Sequence, residues 1–335
     1  MRAAVLGLVL AGMAAGQPRI GWIEVFGARR PVAERVRKAL GVKDGDPLPK
    51  SKGEAEERIE ALDGVVRAHM EAWCCEQGRA VLYVGVEERG GARFELRPAP
   101  RDEAASLPEE VMTAYADFAD ALARATAEGD LEEDLSRGHS LMRNIACRVA
   151  QQRLEALAEL HEAAVLRAAT EAEDPETRAV AAYFAGYAPD KAAAANRLQL
   201  ALRDPEPAVR RNAARALKGI AYLALTRRES GLRVQPTWFV EMLNSIVLSD
   251  RLEAVQALAM YVERGDEGAA AQIRERALPA LFEMARWRHL PHALPAYLLL
   301  GALGGVAPEE LEKAWAAGER ERVLARLEKQ WRLSR

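Results

Sequence analysis

The chain carries an internal repeat, and that constrains its fold more than any single motif does. Asp174-Pro175-Glu176-Thr177-Arg178-Ala179-Val180-Ala181-Ala182 is echoed by Asp204-Pro205-Glu206-Pro207-Ala208-Val209-Arg210-Arg211-Asn212-Ala213-Ala214. Arg178 and Arg210 stand 32 residues apart, and both lead into an alanine pair. A looser third copy spans 250–258, keeping Asp250 but not the Val-Arg pair. Amphipathic helices are predicted before the second copy (192–202) and before the third (238–248), with two more to follow at 269–288 and 292–303. Helix pairs at such a period predict an α-solenoid, in which each pair buries its apolar face on its neighbours and a concave surface is left over. The alanines let helices approach closely.

Composition agrees with packed helices and removes some functions. Half of the 335 residues are hydrophobic, enough for a large core and too many for a disordered chain. A net charge of −3 lacks the basic excess of a dedicated nucleic-acid binder. No Gly-rich phosphate loop and no nucleophile–base set is visible, so no catalytic residue and no cofactor is assigned.

Residues 202–217, Leu-Arg-Asp-Pro-Glu-Pro-Ala-Val-Arg-Arg-Asn-Ala-Ala-Arg-Ala-Leu, closely resemble a HEAT repeat of the PBS-lyase HEAT-like kind. The resemblance implies that Asp204 with Arg210, and Asp174 with Arg178, form a ladder stapling adjacent repeats, and that the ladder lapses at the third copy. On the second copy's helix, Arg211, Arg215 and Lys218 recur at i, i+4 and i+7 as a basic stripe. In register, Tyr183 and Gln256 fall beside Arg215. Arg mixed with Tyr is the chemistry of interface hot spots, so these five residues are the expected protein-binding set. Residues 229–237 break the period and form a candidate recognition loop, whereas Trp238, Phe239 and Trp287 fall at core spacing.

The first 16 residues have the three-part pattern of a secretory signal peptide: Arg2, an apolar run from Ala3 to Ala15, and small residues before Gln17. That run is too short to span a membrane, which takes about 20 residues. The mature chain is therefore expected to be exported to the periplasm or envelope, without a membrane span.

Residues 18–97 read as a β-α-α-β-β module. A strand covers 19–27; Pro31 opens a helix carrying Val32, Val36 and Leu40; Ser51 with Glu54 forms a capping box for a second helix; two strands joined around Gly78 follow. Ile23-Glu24-Val25-Phe26-Gly27, then 34–40, Gly45-Asp46-Pro47 and Leu62-Asp63-Gly64-Val65 together resemble a POTRA domain, which implies peptide binding at an exposed strand edge. Cys74 and Cys75 neighbour each other on a strand, so one is expected buried and one exposed. Cys147 lies far along the chain. Residues 98–108 are rich in Pro and charge and read as a linker, and 109–335 as the helical repeat domain. The whole layout resembles a group of exported HEAT-repeat proteins of bacteria, with acidobacteria as the suggested source.

The function expected on these grounds is a non-enzymatic, protein-binding scaffold of the bacterial cell envelope that uses the concave face of its HEAT-type repeats. The alternative is a metal-dependent enzyme built on Glu132, Glu133, Asp134 and His139, with His161 and Glu162 further on, because carboxylates and imidazoles are the ligands such metals take. Their spacing fits no ligand motif. His289 and His292 flank Pro291 and read as core or capping residues.

Overall fold

The computed structural model describes residues 18–76 and 78–332, so residues 1–16, read above as a signal peptide, lie outside the described residues. The protein is mainly helical, with a small mixed sheet at its N-terminus. It divides into two compact units between Gly90 and Gly91. Among the described residues, no helix is long and apolar enough to cross a membrane.

The N-terminal unit contains β1 (Arg19–Phe26), α1 (Arg30–Ala39), α2 (Lys52–Glu60), β2 (Val65–Glu76) and β3 (Arg79–Glu88). β3 is central, parallel to β1 and antiparallel to β2. Val32, Val36 and Leu40 line one side of α1, and Ala55 and Ile59 one side of α2. Both rows pack on Ile20, Ile23, Leu82, Val84 and Val86 of the sheet. The side chain of Ser51 accepts the Glu54 amide at 3.2 Å and so starts α2, a cap worth about 1 kcal/mol.

Both sheet edges are engaged by the unit itself. On β2, the Ala68 and Met70 amides donate to Glu60 and Glu56 of α2 at 2.9 and 2.6 Å. On β1, the Ile20 backbone exchanges hydrogen bonds with Gly45 and Asp46, and Arg37 donates to the Ile23 carbonyl at 2.7 Å. The edge that the POTRA resemblance would leave open to a peptide is thus covered along these residues by side chains and a loop, a recognised protection of edge strands.

The cysteine pair also departs from expectation. Both Cys74 and Cys75 are exposed and are joined to each other as a disulfide. The β2–β3 register slips between Trp73 and Glu76. The extra residue breaks the strict in-and-out alternation that would have buried one of the two. Cys147 is a buried free thiol, and burial raises its pKa.

The second unit starts earlier than the 98–108 linker implies. Arg97 donates its amide to the Arg203 carbonyl at 2.7 Å, Arg203 reaches back to the Glu95 carbonyl, and Ala105 is buried among Ala168, Ala169 and Ala172. Residues 95–105 are therefore tied to the helices at both ends. The unit continues with α3 (Glu109–Glu128), β4 (Glu133–Asp134), β5 (Leu141–Met142), α4 (Ile145–Leu160), α5 (Glu162–Glu171), α6 (Pro175–Ala185), α7 (Lys191–Ala201) and α8 (Pro207–Thr226). Then follow α9 (Thr237–Met242), α10 (Leu248–Glu263), α11 (Glu267–Arg276), α12 (Leu278–Ala285), α13 (Leu290–Leu303), α14 (Pro308–Ala316) and α15 (Arg320–Gln330). The helix predicted over 269–288 is broken at Ala277, since Pro279 cannot donate within a continuous helix. In series, α5 packs on α6, α6 on α8, α8 on α10 and α10 on α13.

Candidate functional site

Three arginines tie these helices together in one repeating pattern. Arg178 donates through Nη1 to the carbonyls of Ala172 and Glu173 and forms a two-point pair with Asp204, both contacts at 2.9 Å. Arg210 closes its own turn in the same way, on the Asp204 and Pro205 carbonyls, and reaches Asp250 at 2.9 Å. Arg251 donates to the Ser245 carbonyl at 2.7 Å and to Glu283 at 2.8 Å. The ladder therefore continues through the third copy, because Arg251 does there what Arg210 does in the second. Asp174 takes no part in it. It accepts the Thr177 amide at 2.7 Å as the cap of α6, and Arg167 on the preceding helix is already paired with Asp102 and Glu171.

The predicted binding stripe is split. Tyr183 belongs to the core, stacked on Phe118 with ring centroids 5.1 Å apart. Arg215 is half-buried and ion-paired with Glu133, its guanidinium 6.0 Å from the Tyr183 ring. Burial lowers the Arg215 pKa, against the opposing pull of Glu253 and Tyr115. Lys218 binds Glu253 at 2.6 Å and the Gln256 side-chain oxygen at 2.9 Å. Arg211 and Gln256 are exposed.

Glu133 belongs to a segment, residues 131–143, that lies on α4, on α8 and on Tyr187 just after α6, and is gripped mainly through its backbone. β4 and β5 pair antiparallel, Glu133 opposite Met142. The buried Gln151 of α4 accepts the Met142 amide at 2.7 Å and donates to the Ser140 carbonyl at 3.1 Å. The Tyr187 hydroxyl donates to the same carbonyl at 3.0 Å, and Arg148 to the Met142 carbonyl at 2.9 Å. Gly219 of α8 provides the notch for this segment: a Cβ there would stand 2.8 Å from the His139 Cα. These contacts explain why the stretch before Gly138, which has a helical pattern of charge and leucine, is not helical.

His139 is pressed under the segment and only 4 % exposed. Its ring lies 5.0 Å from that of Tyr187 and its Nε2 4.0 Å from Glu155. Among the described residues neither ring nitrogen has a hydrogen-bond partner. Burial, then the charges of Lys191 and Arg137, push its pKa down to about 4, with Asp134 opposing. Burial likewise holds Lys191 down to about 8 while its Nζ donates to the Gly186 carbonyl at 2.7 Å.

The carboxylates of the metal-enzyme alternative do not converge. Glu132 pairs with Arg143 at 2.8 Å, Glu133 with Arg215, and Asp134 accepts the Ser136 amide, while His139 points into the interior and His161 binds Glu110. Among the described residues no group of three or more His, Cys, Asp or Glu is placed to hold a metal ion. His289 and His292 are buried side by side, and burial pushes His292 down to about 4.

Two further surfaces stand out. The loop 229–237 folds back on the unit, with its Val234 carbonyl accepting the Tyr261 hydroxyl at 2.8 Å, and walls a cleft of about 470 Å³ with the end of α8 and the start of α11. Trp238 is half-buried under Arg203, whereas Phe239 and Trp287 are core. On α4, Ile145 and Leu160 are 80 % and 69 % exposed, with Val149 between them. Sequence reasoning missed Gln151, Tyr187 and Gly219, for which no local pattern signals a role; Gly219, breaking an alanine-rich helix, was the nearest to a clue. The chain matches no protein-family model and no curated protein.

Proposed function

We propose that this protein is a non-enzymatic, protein-binding scaffold of the bacterial cell envelope, that its second unit is a HEAT-type solenoid following a POTRA-like module, and that partners dock on the face formed by α4, α6 and α8. One observation carries the docking claim. That face already holds a non-helical segment by its backbone, through Gln151 and Tyr187 on Ser140 and through Gln151 on Met142, with an ion pair to Arg215 at its margin. Backbone-directed contacts plus one charge are how extended peptides are commonly recognised. The ladder of Arg178, Arg210 and Arg251 supports the HEAT-type reading, since each guanidinium links successive helix pairs. Export is supported by the apolar N-terminal run alone.

The test is affinity capture from periplasmic extract with wild type and with Arg211→Glu, Arg215→Glu and Lys218→Glu combined. The proposal expects at least one partner captured by wild type and lost, about 10-fold or more, from the variant. An identical set of partners removes this face from the account. N-terminal sequencing of the native protein checks export: the expected first residue is Gln17, and a chain starting at Met1 contradicts it.

A further inference from the structure

We propose that residues 131–143 are a releasable strap over the α4–α6–α8 face, and that protonation of His139 lifts it and bares Gln151, Tyr187 and Arg215 to an acidic segment of a partner protein. The inference rests on the reading of that face as a binding surface and names how access to it is controlled.

The strap is held at three kinds of point. Glu133 pairs with Arg215; Ser140 and Met142 are held by their backbones; His139 fills the interior beside the Gly219 notch. The last is the most poorly matched, although the Arg215 Nε also lacks a partner among the described residues. A neutral imidazole brings one donor and one acceptor, and here neither is used. An imidazolium would bring two unused donors and a charge. The groups facing it come from every neighbouring element: Lys191 of α7, Arg137 and Asp134 of the strap, Glu155 of α4 and the uncharged Tyr187 after α6. Glu155 is already claimed by Arg137 at 2.5 Å. Lys191 and Arg137 are like charges, so the buried site resists the proton. Once the strap lifts, the ring returns to water and its ordinary affinity. The hold is therefore complete above the ordinary value of 6.5 and weakens as pH falls toward about 4. What the lifted strap leaves behind is an arginine that has lost its carboxylate and a glutamine and tyrosine that have lost a backbone, so the fitting replacement is a segment with an acidic residue.

Amide hydrogen exchange on the full-length protein at pH 7.5 and pH 5.0, corrected for intrinsic exchange, tests this. The Met142 amide, which is held by Gln151 of α4, is expected to lose protection about 30-fold at the lower pH, the ratio that values of 6.5 and about 4 imply, while amides of α6 and α8 keep theirs. His139→Gln should make the strap's protection independent of pH. Lys191→Met removes a facing charge, makes protonation in place easier and should shrink the loss. Unchanged strap protection in wild type, or a loss in His139→Gln or Lys191→Met as steep as in wild type, overturns the proposal. Partner capture is scored separately: a strap that opens at pH 5.0 while no partner binds at any pH counts against the binding reading and leaves the release standing.

Discussion

The ladder and the strap both use arginine against carboxylate, yet they differ in how completely the arginine is satisfied. Arg178 spends its guanidinium on two carbonyls and both oxygens of a fully buried Asp204. Arg215 has one ion pair to a partly exposed Glu133, and its Nε has no partner among the described residues. Charges taken out of water are tolerable when every donor is matched and costly when some are not. The difference teaches that the ladder is a permanent joint between helix pairs, whereas the strap is a contact of modest strength that the protein can open.

That contrast yields expectations of decreasing size. Arg210→Ala removes the guanidinium paired with the buried Asp250 and should cost about 3–5 kcal/mol in urea unfolding of the helical unit. A cost near zero would remove the ladder's structural role. Gly219→Ala puts a methyl against the His139 backbone and should cost about 1–3 kcal/mol, the range for overpacking. Its mark is loss of Met142 amide protection with α10 unaffected; a strap still protected would show that the notch is slack. Arg215→Ala should cost about 1 kcal/mol or less in stability, as expected for a partly exposed pair, while strap protection falls. Equal costs for Arg210→Ala and Arg215→Ala would erase the distinction.

How much of this is legible in the sequence follows the range of the interactions involved. Local patterns carried the helices and strands: the Ser51 cap, the spacing of Val32, Val36 and Leu40, and the turn at Gly78 all depend on neighbours in the chain. The positions of Arg178 and Arg210 are legible because a repeat writes the same contact more than once. Arg251 is not, since its third copy lost the Val-Arg pair and shifted the arginine to just after the aspartate. The strap is illegible for a different reason. Leu131, Glu132, Glu133 and Leu135 look like the first turn of a helix, and the backbone is drawn out of it by pairing with Leu141 and Met142, a strand that Gln151 and Tyr187 hold from elsewhere in the chain. Tyr183 reads as a surface residue for the same reason: Phe118, which buries it, lies on a helix outside the repeats.

The most direct measurement of the central claim is to empty the face and refill it. Residues 131–143 are replaced by a Gly/Ser segment of equal length, and fluorescence anisotropy follows a labelled synthetic peptide of the original 130–144 sequence at pH 7.5. The account predicts saturable binding to the replaced protein, little to wild type, and a loss of about 10-fold or more on adding Arg215→Glu. No binding to a replaced protein whose helical circular dichroism is intact would contradict it.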